Sequence, residues 1–374
     1  MEERRHRVAR GAPAPAGALG SAPPRDRGQH RARGPGVRPM KALVFKGTRS
    51  MELASVPAPE PGPGEVRLRT LMAGVCGSEM HSFLGHSTYR RPGTIFGHEL
   101  VGVVDACGAG VSPDVAGRRF VVDPITTCGS CSACLSGRSN VCASRRLLGA
   151  EVPGCFADFV VAPARNLLEV SPEVPDQVAV MAEPLANAVH VVRLLPKLLG
   201  RRVAIIGCGP IGLACLSVAL LGGPAGLTVI DPVAERRRLA LPLAEDLGRG
   251  LAFTAREPDA DPTPEFDLVI DAVGAAATRQ AAIGMAVPGG TVIALGLHAQ
   301  ASELPMNEAI RKELRILASF AYVRDDFVAA IGLMNQLHKT FLPWITIEPL
   351  AEGERAMREL ADMPERFVKV ALQP

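Results

Sequence analysis

No stretch constrains this chain more tightly than residues 201–231, RRVAIIGCGPIGLACLSVALLGGPAGLTVID. An apolar run, Val203 to Ile206, enters a turn built on Gly207, Gly209 and Gly212, after which apolar residues recur at helical spacing through Leu221. A second apolar run, Leu227 to Ile230, ends on Asp231. Strand, tight turn, helix and strand in that order predict a βαβ unit closed by an acid. Gly207 allows the sharp turn, Gly209 lets the backbone approach a pyrophosphate, and Gly212 lets the helix lie close on the strand. The helix N-terminus offers unpaired N–H groups and partial positive charge. Asp231, 24 residues beyond Gly207, would accept hydrogen bonds from the ribose 2′ and 3′ hydroxyls and repel a 2′-phosphate, so NAD is expected over NADP. The plainer alternative, a glycine-rich turn with no ligand, leaves the flanking strands and the acid unexplained.

The chain has 374 residues, enough for two domains with a buried core each. No apolar run reaches the roughly 18 residues of a membrane span, so no membrane partner is expected. The net charge of +3 has a local source: residues 1–39 hold nine Arg against Glu2, Glu3 and Asp26, which leaves the rest at −3 and implies no nucleic-acid partner. That extension carries six Pro and six Gly, cannot bury a core, and is expected to be disordered and without a catalytic role. Without an export signal, a cytoplasmic chain with reduced thiols is expected.

From Lys41 to about Val122, short β-rich runs with frequent Gly and Pro predict a mostly antiparallel, barrel-like domain. Phe156–Pro163 adds a strand, and apolar spacing turns helical over Ala182–Leu199. Strands at Phe266–Val273, Gly290–Leu297 (entered through Pro288-Gly289-Gly290) and Leu314–Phe320 extend the alternation of helix and strand. The fold class is therefore α/β: a doubly wound parallel-sheet (Rossmann) coenzyme domain inserted into the β domain. The expected boundaries are extension 1–39, catalytic domain 40–187, NAD-binding domain 188–321, and catalytic domain again over 322–374, opening with a helix at Asp326–His338.

Four of the nine cysteines, Cys128, Cys131, Cys134 and Cys142, have intervals of two, two and seven residues. Such spacing aims four thiolates at one point and predicts a closed, structural zinc site. A ferredoxin-like cluster would bring its last Cys after three residues and before Pro, whereas Cys142 follows after seven and precedes Ala143. A second set is dispersed: Cys76 in GVCGSEMH, His98 and Glu99 in GHE, and Glu183 in AEPLANAVH. Taken singly, Cys76 reads equally as a small buried side chain and Glu99 as a surface acid. Together they are a mixed donor set of the kind that leaves a catalytic zinc one open position.

The motifs GVCGSEMH at 74–81, GHE at 97–99, the four-thiol loop at 128–142, EPLANAVH at 183–190, GCGPIG at 207–212 with Asp231, and the Pro-Gly-Gly turn at 288–290 stand in one order. In them the chain, from Met40 to its end, resembles the zinc-containing medium-chain alcohol dehydrogenase superfamily, nearest the sorbitol, threonine and related polyol or amino-alcohol dehydrogenases. The resemblance implies a GroES-like catalytic domain and two zinc ions per chain. Cys76 and His98 would ligate the catalytic one, with Glu99 and Glu183 as acidic positions whose direct or water-mediated roles differ within the family. It further implies a proton relay from Ser78 through the cofactor ribose to His81, and dinucleotide contacts at Ile211, Arg236, Leu295, Gly296 and Leu297. The substrate would be a small-molecule secondary alcohol and the assembly a homodimer or homotetramer. One departure bears on substrate: sorbitol-type enzymes place Arg directly before the Tyr equivalent to Tyr322, and this chain has Ala321, with Arg324 as a nearby replacement. MKALVF and the EPL context also resemble bacterial enzymes that oxidise an amino-cyclitol hydroxyl. Two rivals remain: a zinc-free quinone or enoyl reductase of the same superfamily, which the full ligand set opposes, and a non-catalytic NAD-binding protein, which would not need Ser78 and His81.

Overall fold

The computed structural model describes residues 38–374 apart from Arg249, so the disorder expected of the basic extension concerns residues that lie, all but the last two, outside the described ones. Two sheets organise the rest. Six parallel strands run in the order Ala252–Arg256, Gly226–Ile230, Arg202–Ile206, Phe266–Asp271, Ala286–Ala294, Arg315–Ala318. The chain starts mid-sheet, winds outward to one edge, and returns to build the other side. The direction therefore reverses between Arg202–Ile206 and Phe266–Asp271, and the carboxyl ends of those strands flank a crevice suited to a dinucleotide. Helix Pro210–Leu221 is apolar all round because it is buried all round, packed between the sheet and helix Ala182–Leu194.

The second sheet has seven strands, ordered Ile345–Pro349, Lys369–Gln373, Glu65–Gly74, Glu99–Cys107, Arg119–Val122 and Leu167–Glu169, with Phe159–Pro163 also paired to Glu65–Gly74. The C-terminal strand thus lies antiparallel against a strand nearly 300 residues earlier, Ala371 opposite Gly74. One core runs between the two sheets: Met72 and Val101 from the second share it with Leu185, Leu213 and Ile205. Helix Ala182–Leu194 joins the two, touching strand Glu99–Cys107 of the second sheet on one side and helix Pro210–Leu221, which covers the first, on the other.

Local differences from the expected elements have local causes. The helix expected through Leu199 ends at Leu194, because Pro196 drives Leu195 into extended backbone (ψ 144°). The helix expected at Asp326–His338 is longer, Arg324–Phe341, starting where the Asp326 carboxylate accepts from the Val323 amide at 2.9 Å, and a further helix, Gly353–Asp362, follows it. Strands Ser50–Pro57 and Ala252–Arg256 were not foreseen: the first carries no clean alternation of burial, and the second, too short to show a period, alternates only between exposed and half-buried. The Pro288-Gly289-Gly290 turn sits within Ala286–Ala294, where pairing jumps from Ala286 to Thr291 and Gly289 takes φ +76°.

Candidate active site and metal centres

Cys76 caps helix Gly77–Phe83, while Glu79, in the first turn, reaches back to the Cys76 amide at 2.8 Å. The other Glu79 oxygen accepts from the Gly97 amide at 3.0 Å and meets His98 Nδ1 at 2.7 Å. Burial alone would raise this carboxyl, but the His98 imidazole, with the Arg90 guanidinium behind it, holds it down at about 2. A carboxylate so held only accepts, so Nδ1 is the donor and Nε2 is left for the Cys76 side. Glu99 opens strand Glu99–Cys107 beside Gly74, where any β-carbon would strike the Glu99 carboxylate. The donor atoms of Cys76, His98 and Glu99 lie within 4.8 Å of one another, all on buried or half-buried side chains. One thiolate, one imidazole and one carboxylate at this separation suit zinc. Glu99 also forms a buried ion pair with Lys369 of the C-terminal strand. Glu183 lies outside that three-atom group: it is buried in the first turn of Ala182–Leu194, its carboxylate accepting from Asn187 at 3.1 Å. Burial raises its carboxyl to about 7, against His98 and with Glu99.

Sequence reasoning passed over Glu79 and Lys369. Glu79 carried a readable signal, since an acid three residues after a helix cap points back at the cap. Lys369 carried none, because it reaches the site only through sheet pairing.

The four-thiol group closes as spaced. Sγ separations are 3.5 Å for Cys142–Cys128, 3.6 Å for Cys131–Cys134 and 3.9 Å for Cys128–Cys134. Zn–S bonds of about 2.3 Å in a tetrahedron require S–S edges of about 3.8 Å, so the cage fits zinc. Backbone amides of Ser130 and Cys131 hold the Cys128 thiol down at about 6, which favours the thiolate a metal needs. This lobe docks on the coenzyme side: the Asn140 amide donates to the Phe320 carbonyl at 2.7 Å, and Arg145 lies over the Phe320 ring.

At the glycine turn, Gly207 takes φ +98°, and a β-carbon on Gly212 would lie 1.8 Å from the Gly207 carbonyl oxygen. A β-carbon on Gly209 would meet nothing within 4 Å, which is the room a pyrophosphate needs. Ile211 is in the first turn of the helix that follows. Asp231 is buried, accepting from the Cys208 amide and the Val233 amide at 2.8 Å each. Arg236 crosses to the returning segment and donates to the Pro364 carbonyl at 2.7 Å. The Leu295 and Gly296 amides donate to the Asp271 carbonyl at 3.1 Å, Gly296 lies against Gly274, and Leu297 is exposed. The next residue, His298, has its ring 5.5 Å from that of His81, which also neighbours His86 at 5.9 Å. The helix capped by Cys76 and carrying Ser78 and His81 therefore abuts the loop at the carboxyl end of the parallel sheet. Burial, then His298 and His86, pull His81 below its ordinary value.

The segment Ser319–Tyr322 closes the site. Ala321 holds φ +49°, and the Ser319 and Tyr322 hydroxyls are buried with no well-formed hydrogen bond among the described residues, the Tyr322 phenol lying beside Glu183. Burial, then Glu183 and Asp123, push the Tyr322 phenol well up. Burial raises Asp123 to about 6, opposed by the Ile125 amide and by Arg324. The charge before Tyr322 is thus absent, and Arg324 acts instead on Asp123.

Comparison with known proteins agrees with this geometry. Residues 62–172 match the alcohol dehydrogenase GroES-like domain family and residues 210–336 the zinc-binding dehydrogenase family. Sorbitol dehydrogenase of Halalkalibacterium halodurans is 31% identical over 348 residues, spanning 90% of this chain and 99% of the relative. The short chain alcohol dehydrogenase (rspB) of Escherichia coli CFT073, solved with NADH, superposes with a TM-score of 0.80 at 28% identity, over 90% of this chain and 99% of that one. A putative zinc-binding dehydrogenase of Sinorhizobium meliloti 1021, bound to NADP, gives 0.81 at 28% identity, over 90% and 100%.

Proposed function

The chain belongs to the zinc-containing medium-chain alcohol dehydrogenase superfamily, and from that premise we propose that it oxidises a secondary alcohol, a polyol, cyclitol or amino alcohol, to the ketone with NAD and two zinc ions. It is an alcohol dehydrogenase with an NAD-type cofactor, acting on a small molecule. The observation that carries the finer reading is the clustering of Cys76, His98 and Glu99 beneath the helix that bears Ser78 and His81, against the loop at the carboxyl end of the coenzyme sheet.

Zinc held by Cys76, His98 and an acid would supply Lewis acidity to the alcohol oxygen, and NAD over Gly207–Gly212 would accept the hydride. The residues of the chain do the rest. Glu79 fixes the His98 tautomer, and Lys369 neutralises Glu99, so that the buried donor set is not a cluster of uncompensated negative charge. Ser78 takes the alcohol proton at Oγ and gives up its own, and His81 ends the path toward solvent. Its lowered basicity keeps its imidazole neutral, and so able to accept a proton, at pH 7. The Ser319 and Tyr322 hydroxyls, without well-formed hydrogen bonds among the described residues, support a substrate with several hydroxyl or amino groups, because buried donors need partners. Asp231 favours the unphosphorylated ribose of NAD.

Metal analysis and NADH formation over a panel of polyols, cyclitols and amino alcohols test the reading. Cys76→Ala is expected to lose one of two zincs and all turnover; a variant that keeps full activity ends the assignment.

A further inference from the structure

Arg90 lies in the loop ahead of the GHE motif, and its one part so far is the charge it sets behind Glu79. Its side chain is 1% exposed, yet it binds no substrate-facing group except one. Nε donates to the Gly149 carbonyl at 2.7 Å, Nη1 to the Ser78 carbonyl at 3.0 Å, and Nη2 to the Ser78 hydroxyl at 3.2 Å. The Glu79 carboxylate, 3.8 Å from Nη2, is the only acid paired with it among the described residues. The Phe96 ring covers its face at 5.4 Å. Its anchor is immobile, since Gly149 packs so close to Gly97 that a β-carbon there would lie 2.7 Å from the Gly97 nitrogen. A guanidinium is a rigid planar fork with no acceptor, so its position dictates what its partners do with their lone pairs.

On the proposed dehydrogenase reading, we infer that Arg90 is the positioning residue of the proton relay. By donating to Ser78 Oγ it occupies one lone pair, which leaves the second to take the alcohol proton and turns the hydroxyl hydrogen away from the protein, toward the cleft. The same guanidinium, through Glu79, is tied to His98, so the relay hydroxyl and the metal-binding imidazole share one frame. Without it, Ser78 is free to point its hydrogen at the substrate oxygen and block transfer.

The test is a double-mutant cycle on the zinc-loaded enzyme, run with whichever panel alcohol the wild type turns over. Arg90→Gln is expected to lower kcat about 10- to 100-fold, part of the roughly 10²–10⁴-fold that a positioned acid–base group contributes. The KM for NAD, the zinc content and the cobalt-substituted visible spectrum should be unchanged, and the solvent isotope effect should rise. In a Ser78→Ala background the same substitution should change kcat less than about twofold, because there is no hydroxyl left to orient. Arg90→Lys, which keeps the charge but not the fork, should show the same pattern if the glutamine variant folds poorly. Multiplying effects in the two backgrounds, or lost zinc and an altered cobalt spectrum with both Arg90 variants, overturn the inference and make Arg90 a structural residue. In those cases the dehydrogenase reading stands; wild-type protein that reduces no NAD with any alcohol removes both.

Discussion

Asp231 and His81 show how single side chains set measurable behaviour. Two backbone amides already hold the Asp231 carboxylate at 2.8 Å, so its oxygens are aimed before any ribose arrives. Asp231→Ala is expected to weaken NAD about 10- to 100-fold, the worth of hydrogen bonds to a charged acceptor, and NADP much less. Titration of both nucleotides by fluorescence checks this, and an unchanged ratio removes the ribose role. His81 must be neutral to accept a proton. Because burial and two neighbouring imidazoles lower its pKa, its neutral form persists below the ordinary value of about 6.5, and the acid limb of alcohol oxidation should fall there. Replacing His298 by Ala removes one of those imidazoles and should move the limb upward; a limb that stays fixed in a pH–rate profile would show that the cluster does not tune the relay. Cys76, His98, Glu99 and the four thiols, which the fold does bring together, were readable because the donor types zinc prefers stand in short motifs. Glu79, Arg90 and Lys369 were not read: Glu79 and Arg90 brace neighbours of the donor group from outside it, and Lys369 arrives from the far end of the chain.

The glycine turn concerns an element, and its two non-hinge glycines separate folding from binding. Gly212 touches backbone, whereas Gly209 faces open space with φ −77°, a value any residue adopts. Gly212→Ala must push the helix off its strand and should lower the melting temperature as well as NAD affinity. Gly209→Ala should leave the melting temperature within about 1 °C, since surface substitutions without strain change stability by less than about 0.5 kcal/mol, and yet lose NAD binding. Equal melting losses in the two variants would mean that the turn, and not the nucleotide, requires Gly209. The contrast also explains what the sequence discloses of elements. Arg202–Ile206, Gly226–Ile230 and Phe266–Asp271 are buried on both faces and announce themselves as apolar runs. Ala252–Arg256 sits at the sheet edge with no fully buried residue, and Ser50–Pro57 pairs only with Pro39–Gly47. Each leaves little to read, because Ala252–Arg256 turns only Phe253 and Ala255, half-buried, to the core and Ser50–Pro57 buries Met51 alone.

At the scale of the molecule, the question is what keeps Glu183, in the first turn of a helix, beside Tyr322, in the segment ahead of another, when the two are 139 residues apart. Asp326, wholly buried, joins the two. Its carboxylate meets His190 Nδ1 at 2.7 Å and Arg193 at 3.0 Å, both on the helix that Glu183 begins, while Asp326 itself caps the helix that follows Tyr322. Burial would raise this carboxyl, but the His190 bond and the Val323 amide lower it below the ordinary range. A depressed folded pKa means that the stabilisation is complete above the unfolded value of about 3.9 and is lost as pH falls toward the folded one. Asp326→Asn should therefore lower the unfolding free energy at pH 7 by about 2–3 kcal/mol, the worth of the buried hydrogen bonds that His190 and the Val323 amide make to a charged acceptor. The gap between variant and wild type in urea unfolding should close as pH drops below about 4. On the proposed reading turnover should fall with it even at temperatures where the variant is folded, because the Glu183 carboxylate and the Tyr322 phenol would no longer be held in register. A gap that persists in acid would mean the joint acts by packing alone, and undiminished turnover would mean that Glu183 and Tyr322 are aligned by the shared core instead.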